Sequence, residues 1–269
     1  MTFFRKGLEK GRGILSHLPV GWELAKRELK ERYQGTSLGQ LWLLLSPLVL
    51  IFIYTIIFSD FIGMRLNLTN SKYAYSIYLI PGLLSWNFFS TILLRFTGLL
   101  IEKQGLIKKV PLPPYLYYIG AFLPELIVYW IGLGLGVLFL VAVGHPVGPN
   151  FLWLPVLTGV LALFAVGLGV IFSLFTPFFR DLKEFVNILT QLWFWATPII
   201  YLKEMLLSKL PLLIYLNPLY YLIDPLQNLF LYSQFQWEEV GIGALIGIGT
   251  VGVAGVLYKL LIPEIKDLL

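Results

Sequence analysis

Inside the apolar part of this 269-residue chain, the residues that could do chemistry come down to Arg95 and Glu125. An ion-coupled carrier needs ionisable groups near the middle of a membrane to bind a proton or Na⁺. Arg95 lies 18 residues beyond Ile77. That is roughly 27 Å along a helix, so its guanidinium is expected to snorkel to the inner interface. Glu125 is deep if its helix starts at Tyr115 and interfacial if it starts near Phe122. Pairing with Arg95 on an antiparallel neighbour would lower its cost. One carboxylate is thin support for ion coupling. ATP is no better served. A phosphate-cradling loop ends in Lys followed by Ser or Thr, and none of the 13 lysines is followed by either. If ATP drives any work here, a second polypeptide must hydrolyse it. The absence of cysteine removes disulfides and thiolate ligands, and His17 and His145 are too few and too far apart for a metal centre. No Ser/His/Asp set and no paired carboxylates occur.

The elements that position these residues are set by lipid. From Leu126 to Phe179 the chain runs 54 residues without Asp, Glu, Lys or Arg. A membrane helix takes about 20 apolar residues, so this stretch holds two, folded back at Gly144-His145-Pro146-Val147-Gly148-Pro149-Asn150. Over the whole chain 58% of residues are hydrophobic and 13% charged. The fold class is therefore all-α and polytopic, with six transmembrane helices at about 38–59, 77–100, 115–143, 152–175, 185–201 and 240–261. Of the 20 Lys and Arg residues, 16 fall on one side of that arrangement and Arg65, Lys72, Lys203 and Lys209 on the other. The positive-inside rule then puts both termini in the cytoplasm. This bias also accounts for the net charge of +5 without nucleic acid. Residues 1–37 form a cytoplasmic N-terminal segment, 38–262 the membrane domain and 263–269 a tail.

Residues 203–236 are apolar but broken by Ser208, Lys209, Pro211, Asn217 and Pro218. They read as two short re-entrant helices on the outer side, a candidate gate, because such backbone survives only inside protein or beside water. Before the first span, Trp22, Ala25, Leu29 and Tyr33 share one face of an amphipathic interface helix. Glu23/Arg27, Arg27/Glu31 and Glu28/Arg32 stand four apart on the rest. Two charged loops suit docking of an ATPase: Glu102 to Pro114, and Arg180-Asp181-Leu182-Lys183-Glu184. Aromatics make up 16% of the chain. Trp42, Tyr73, Trp153 and Trp237 sit at span ends as an interfacial belt does. Phe52, Tyr54, Trp86, Phe88, Phe89, Trp193, Phe194 and Trp195 lie nearer the interiors. Their rings suit the C–H and O–H faces of sugars; aromatic packing between helices is the plainer alternative. Gly132 and Gly136 (with Gly134), and Gly243 and Gly247, have the small-residue spacing of close helix contacts. Asn67-Leu68-Thr69 matches a glycosylation sequon.

The run Arg27-Glu28-Leu29-Lys30-Glu31-Arg32-Tyr33-Gln34-Gly35-Thr36-Ser37-Leu38-Gly39-Gln40-Leu41-Trp42, followed by Ser46-Pro47-Leu48, resembles the approach to the first span in type-2 ABC permeases. Within that family it resembles the membrane subunits of bacterial polysaccharide exporters (O-antigen, capsule, teichoic acid). Pro81-Gly82-Leu83-Leu84-Ser85-Trp86, Ile107-Lys108-Lys109-Val110-Pro111, Arg180-Asp181, Ala196-Thr197-Pro198-Ile199-Ile200-Tyr201 and Asn217-Pro218-Leu219 add to the resemblance. It implies a homodimer over two copies of an ABC ATPase subunit, which binds ATP and Mg, in the bacterial inner membrane. The cargo implied is lipid-linked polysaccharide. Arg27, Arg32, Leu106, Lys108, Lys109, Pro111, Arg180 and Asp181 would contact the ATPases. Phe52, Tyr54, Trp86, Phe89, Trp193, Trp195 and Tyr201 would line the channel. Pro211, Tyr215, Asn217, Pro218 and Tyr220 would belong to the periplasmic gate. Two other readings stand beside this: an exporter of small amphipathic drugs or lipids, and a membrane-embedded glycosyl- or lipid-processing enzyme. The enzyme would need grouped acids outside the membrane, whereas Asp60, Glu204, Asp224, Glu238 and Glu239 are scattered.

Overall fold

The computed structural model describes residues 18–57, 73–110 and 112–268. Among these residues all regular structure is helix, with no strand. The helices are α1 (Leu18–Tyr33), α2 (Trp42–Thr55), α3 (Ala74–Glu102), α4 (Gln104–Lys109), α5 (Tyr115–Ala142) and α6 (Leu154–Phe175). They continue with α7 (Leu182–Ala196), α8 (Lys203–Leu207), α9 (Pro211–Tyr215), α10 (Pro218–Tyr232) and α11 (Trp237–Leu268). The end of the first expected span beyond Ile57, the sequon Asn67-Leu68-Thr69 and Pro111 lie outside the described residues.

Four helical stretches are long and apolar enough to cross a bilayer: Ala74–Glu102, Tyr115–Ala142, Pro149–Phe175 and Trp237–Lys266. They coincide with the second, third, fourth and sixth expected spans. The helices at the first and fifth positions are shorter, 14 residues for α2 and 15 for α7. α7 stops at Ala196 rather than running to Tyr201. The cause is Pro198, which bars the preceding residue from helical backbone; Thr197 is extended, at φ −105° and ψ 133°. The expected tail from residue 263 is a continuation of α11 through Pro263 to Leu268, with Ile265 buried.

α3 is the hub, packed against α5, α6, α7 and α10, and the longest contact in the bundle runs between α6 and α11. Lipid tails are as apolar as leucine, so close backbone approach rather than hydrophobic transfer holds such helices together. Glycines permit that approach. A Cβ on Gly167 would lie 2.8 Å from the Thr250 backbone. Gly243 faces the Tyr221 carbonyl and Gly247 the Val160 carbonyl, while Gly132 sits under Leu84 and Gly136 under Phe230. Gly134 meets open space, so its neighbours alone carry that pattern. Aromatic rings fill the wider gaps, as where Phe88 stacks on Tyr129 at 4.5 Å.

At the opposite end from α4, the α5–α6 hairpin turns at Gly144 with φ +72°, backbone that glycine adopts without strain. Asn150 donates to the Ser233 carbonyl at 2.8 Å and Ser233 donates back to the Pro146 carbonyl at 2.9 Å. The hairpin is thereby tied to the end of α10. Residues 203–236 hold three helices, not two, and α10 is buried along most of its length against α3, α6 and α11.

The α6–α11 contact makes a direct prediction. Gly167→Ala should destabilise the protein by about 1–3 kcal/mol, because the added methyl overlaps backbone that cannot move aside cheaply. Gly249→Ala, where nothing lies within 4 Å, should leave thermal unfolding in detergent unchanged. Equal midpoints for the two variants would refute this contact.

Candidate functional site

The ionisable residues come together at the end of the bundle that also carries α4. Glu125 is buried on α5 and takes Arg95 of α3 at 2.5 Å. Arg32 of α1 pairs with the same carboxylate oxygen. Arg95 also bonds Glu28 of α1, and Lys103 reaches Glu28 at 3.2 Å. Arg95 therefore bridges two acids on two different helices instead of snorkelling to water. Burial works against the Arg32 cation, yet Glu125 beside it prevails and holds it above its ordinary value. The Arg95–Glu125 pair was legible in the sequence. Glu28 and Lys103 were not, because their partners come from distant segments.

This network changes the reading of α1. Glu28 and Arg32 do not pair with each other, since each is drawn to the bundle. Arg27 does pair with Glu31 at 2.6 Å, whereas Glu23 takes Lys26 at 2.5 Å rather than Arg27. The buried face runs through Val20, Gly21 and Ala25, and Trp22 is 46% exposed. The stripe is displaced from the expected Trp22-Ala25-Leu29-Tyr33 face because α1 packs on α5, with Gly21 against Ile119 and Gly120 against Leu24.

Three helices expose a shared groove of about 430 Å³. α2 supplies Leu50 and Tyr54, α3 supplies Leu83, Trp86, Asn87, Ser90 and Leu94, and α7 supplies Asn187, Thr190, Gln191, Phe194 and Trp195. On each helix these positions recur at three or four, one face of a 3.6-residue turn. Trp86 and Phe194 close one wall with centroids 5.2 Å apart. The side-chain amides of Asn87, Asn187 and Gln191 have no hydrogen-bond partner among the described residues. Attention to aromatics overlooked these three; uncharged amides within apolar runs were the available signal.

The aromatics expected to line a channel divide. Tyr54, Trp86 and Trp195 line the groove, and Phe52 is 62% exposed on α2. Phe89 has no exposed surface and is a packing residue of the subunit interior, stacked on Phe164 at 5.6 Å and edged by Trp193 at 5.5 Å. Trp193 fastens α7 to the bundle, and its indole donates to the Asn217 side chain at 2.8 Å. Tyr201 donates to the Trp195 carbonyl.

Asn217 is the hub of the outer cluster. Its oxygen also caps α10 by accepting from Leu219 N at 3.1 Å, its amide donates to Thr197 and Ala196, and Pro218 fills the first helical position. The non-helical stretch after α7 is held carbonyl by carbonyl. Tyr78 donates to Pro198 and Tyr201, Tyr75 to Ile200 and Gln227 to Ile199. Lys203 pairs with buried Asp224 at 2.9 Å and stands over the Tyr220 ring. Pro211 starts α9, and the exposed Tyr215 accepts from Tyr221 through its carbonyl.

At the basic end, Leu106, Lys108 and Lys109 are exposed on α4, as are Arg180 and Asp181 ahead of α7. Lys183 bonds Glu102 at 2.9 Å, joining the end of α3 to the start of α7. Lys108 and Lys266 line one cleft between α4 and α11. No group of His, Cys, Asp and Glu among the described residues could hold a metal ion.

If the ion network holds α1 to the bundle, Glu125→Ala should cost about 1.5–3 kcal/mol, since it takes from two partly exposed cations their shared partner. Arg95→Ala and Glu125→Ala should be non-additive by about 1–3 kcal/mol in a double-mutant cycle on unfolding; strict additivity would exclude the pair.

A family model described as "ABC-2 type transporter" matches residues 20–231. An "O-antigen export system permease protein RfbA" of Klebsiella pneumoniae is 30% identical over 226 residues, covering 84% of this chain and 85% of its own. A protein of the same name from Myxococcus xanthus is 30% identical over 209 residues, covering 77% and 78%. The "polysialic acid transport protein KpsM" of Escherichia coli is 26% identical over 166 residues, covering 61% and 63%.

Proposed function

The chain belongs to the ABC-2 type transporter family, and from that premise we propose that it is the channel-forming permease subunit of an ATP-driven exporter. Its cargo is lipid-linked polysaccharide, carried from the cytoplasm across the bacterial inner membrane. The observation that carries this reading is the groove on α2, α3 and α7. An amide facing lipid has no hydrogen-bond partner and is expensive there. Asn87, Asn187 and Gln191 therefore mark the side of the subunit turned to a polar interior, and the rings of Tyr54, Trp86, Phe194 and Trp195 flank them. Amides for hydroxyls and rings for C–H faces suit a glycan. The names of the relatives, for O-antigen export and polysialic acid transport, both concern polysaccharides.

In the proposed assembly two copies meet across this groove, each with six spans and both termini in the cytoplasm. α2 and α7 fall short of the roughly 20 residues of a full crossing. The pinned segment 197–201 completes the crossing of α7, and α8 to α10 form the outer gate around Asn217. The basic end meets two ATPase subunits, which hold the ATP and Mg²⁺ this chain has no loop to bind. There α4, with Leu106, Lys108 and Lys109, and the Arg180-Asp181 turn receive the stroke. The Glu102–Lys183 bridge passes it to α7.

Two outcomes test this. Lys108→Glu combined with Lys109→Glu should lower ATP-dependent glycan export by at least about tenfold, since reversed charges repel a complementary partner surface. The thermal midpoint should stay put, both side chains being exposed. Trp195→Ala, at a residue 65% exposed, should depress glycan export more than ATP hydrolysis by the assembled complex. Parallel loss of both activities would make Trp195 a structural residue and count against the channel.

A further inference from the structure

The groove says more about the cargo than that it is a glycan. Among the described residues its lining contains the amides and hydroxyls of Asn87, Ser90, Asn187, Thr190 and Gln191, beside the Tyr54 phenol, and no Lys, Arg, Asp or Glu. The nearest cations are already committed. Arg95 follows Leu94, a lining residue, but its guanidinium is taken by Glu28 and Glu125. Lys183, one turn before Asn187, is bonded to Glu102. Glu184 precedes Asn187 by three residues on α7 and so stands on the groove's own face at its basic end, exposed and negative. Arg180 and Asp181 beside it offset each other.

We propose that the Asn87, Asn187 and Gln191 amides select a glycan whose repeat units are electrically neutral, and that polymers with a carboxylate on each repeat are excluded for want of a cation in the groove. This deepens the polysaccharide reading and rests on it. Each amide offers two donors and one acceptor, the complement of sugar hydroxyls that both give and take a hydrogen bond. An amide cannot neutralise a carboxylate. An acidic polymer threading the groove would bring one unpaired charge after another out of water, the most unfavourable passenger for a membrane interior. A neutral chain meets donors and acceptors interleaved with the rings of Trp86, Phe194 and Trp195. It can change partners as it moves without leaving an unanswered charge behind. Thr190 contributes less, because its hydroxyl already donates to the Val186 carbonyl at 2.6 Å.

The test uses the permease assembled with its ATPase in inside-out membrane vesicles. It is given one polyprenyl-linked mannan in two forms, native and oxidised at C6 to uronic acids. ATP-dependent transport is read as protection of the glycan from an externally added glycosidase. The neutral form should be protected at least about tenfold faster, well within the penalty that an unpaired charge meets in a membrane interior. Equal rates would overturn the selection for neutrality while leaving polysaccharide export standing. Protection of neither form, with ATP still hydrolysed, would overturn both. Asn187→Lys combined with Gln191→Lys, confirmed as folded by gel filtration, should shift the ratio towards the oxidised polymer. An unshifted ratio would remove the amides from the selection.

Discussion

A polar group inside a bilayer has to find its partner within the protein, and the arrangement of this chain follows from that constraint. Glu125 is the sharpest case. Buried on α5, it draws Arg95 from α3 and Arg32 from α1, and Arg95 in turn draws Glu28. One carboxylate thereby fixes the meeting of three helices. The non-helical backbone after α7 obeys the same requirement by neutral means, each carbonyl from Pro198 to Tyr201 being claimed by a side chain of α3 or α10. The three amides on the groove find no partner among the described residues, and in the proposed reading they turn to the cargo.

α7 connects the two ends of the molecule. Its start is held to α3 by Lys183 and Glu102, and Trp193 near its other end is held to Asn217 at the head of α10. Between these anchors one face, with Val186 and Thr190, is buried, while Ile188, Leu192 and Trp195 are exposed. A rigid rod fastened at both ends and free along one side carries displacement well. In the proposed exporter, a push at the basic end would arrive at the cluster around Asn217 through this one helix.

The four long helices were legible in the sequence because runs without charge can be counted, and the Arg95–Glu125 pair because both residues stood alone in such runs. The rest depends on contacts that local patterns do not record. Glu28 and Arg32 satisfy the i,i+4 rule on paper, but half-buried Arg95 and buried Glu125, in need of counter-charges, outcompete a solvent-exposed pair. The buried stripe of α1 was misplaced for a related reason, since docking on α5 at Gly21 and Gly120 prevails over the moment of the isolated helix. Phe89 could not be told from groove-lining rings by type or spacing; only the stacking on Phe164 distinguishes it. The amides were visible throughout and were passed over because aromatic residues are the louder signal.

The docking of α1 bears on how the protein is made. Its partners Arg95 and Glu125 follow it by 67 residues from Glu28 and by 93 from Arg32, and Gly120 lies on the same later helix. The ribosome therefore releases α1 long before any surface exists to receive it, and the nascent segment must wait at the lipid headgroups until α5 has been inserted. The first of the described helices is then among the last to reach its seat, after the bundle it packs on has formed.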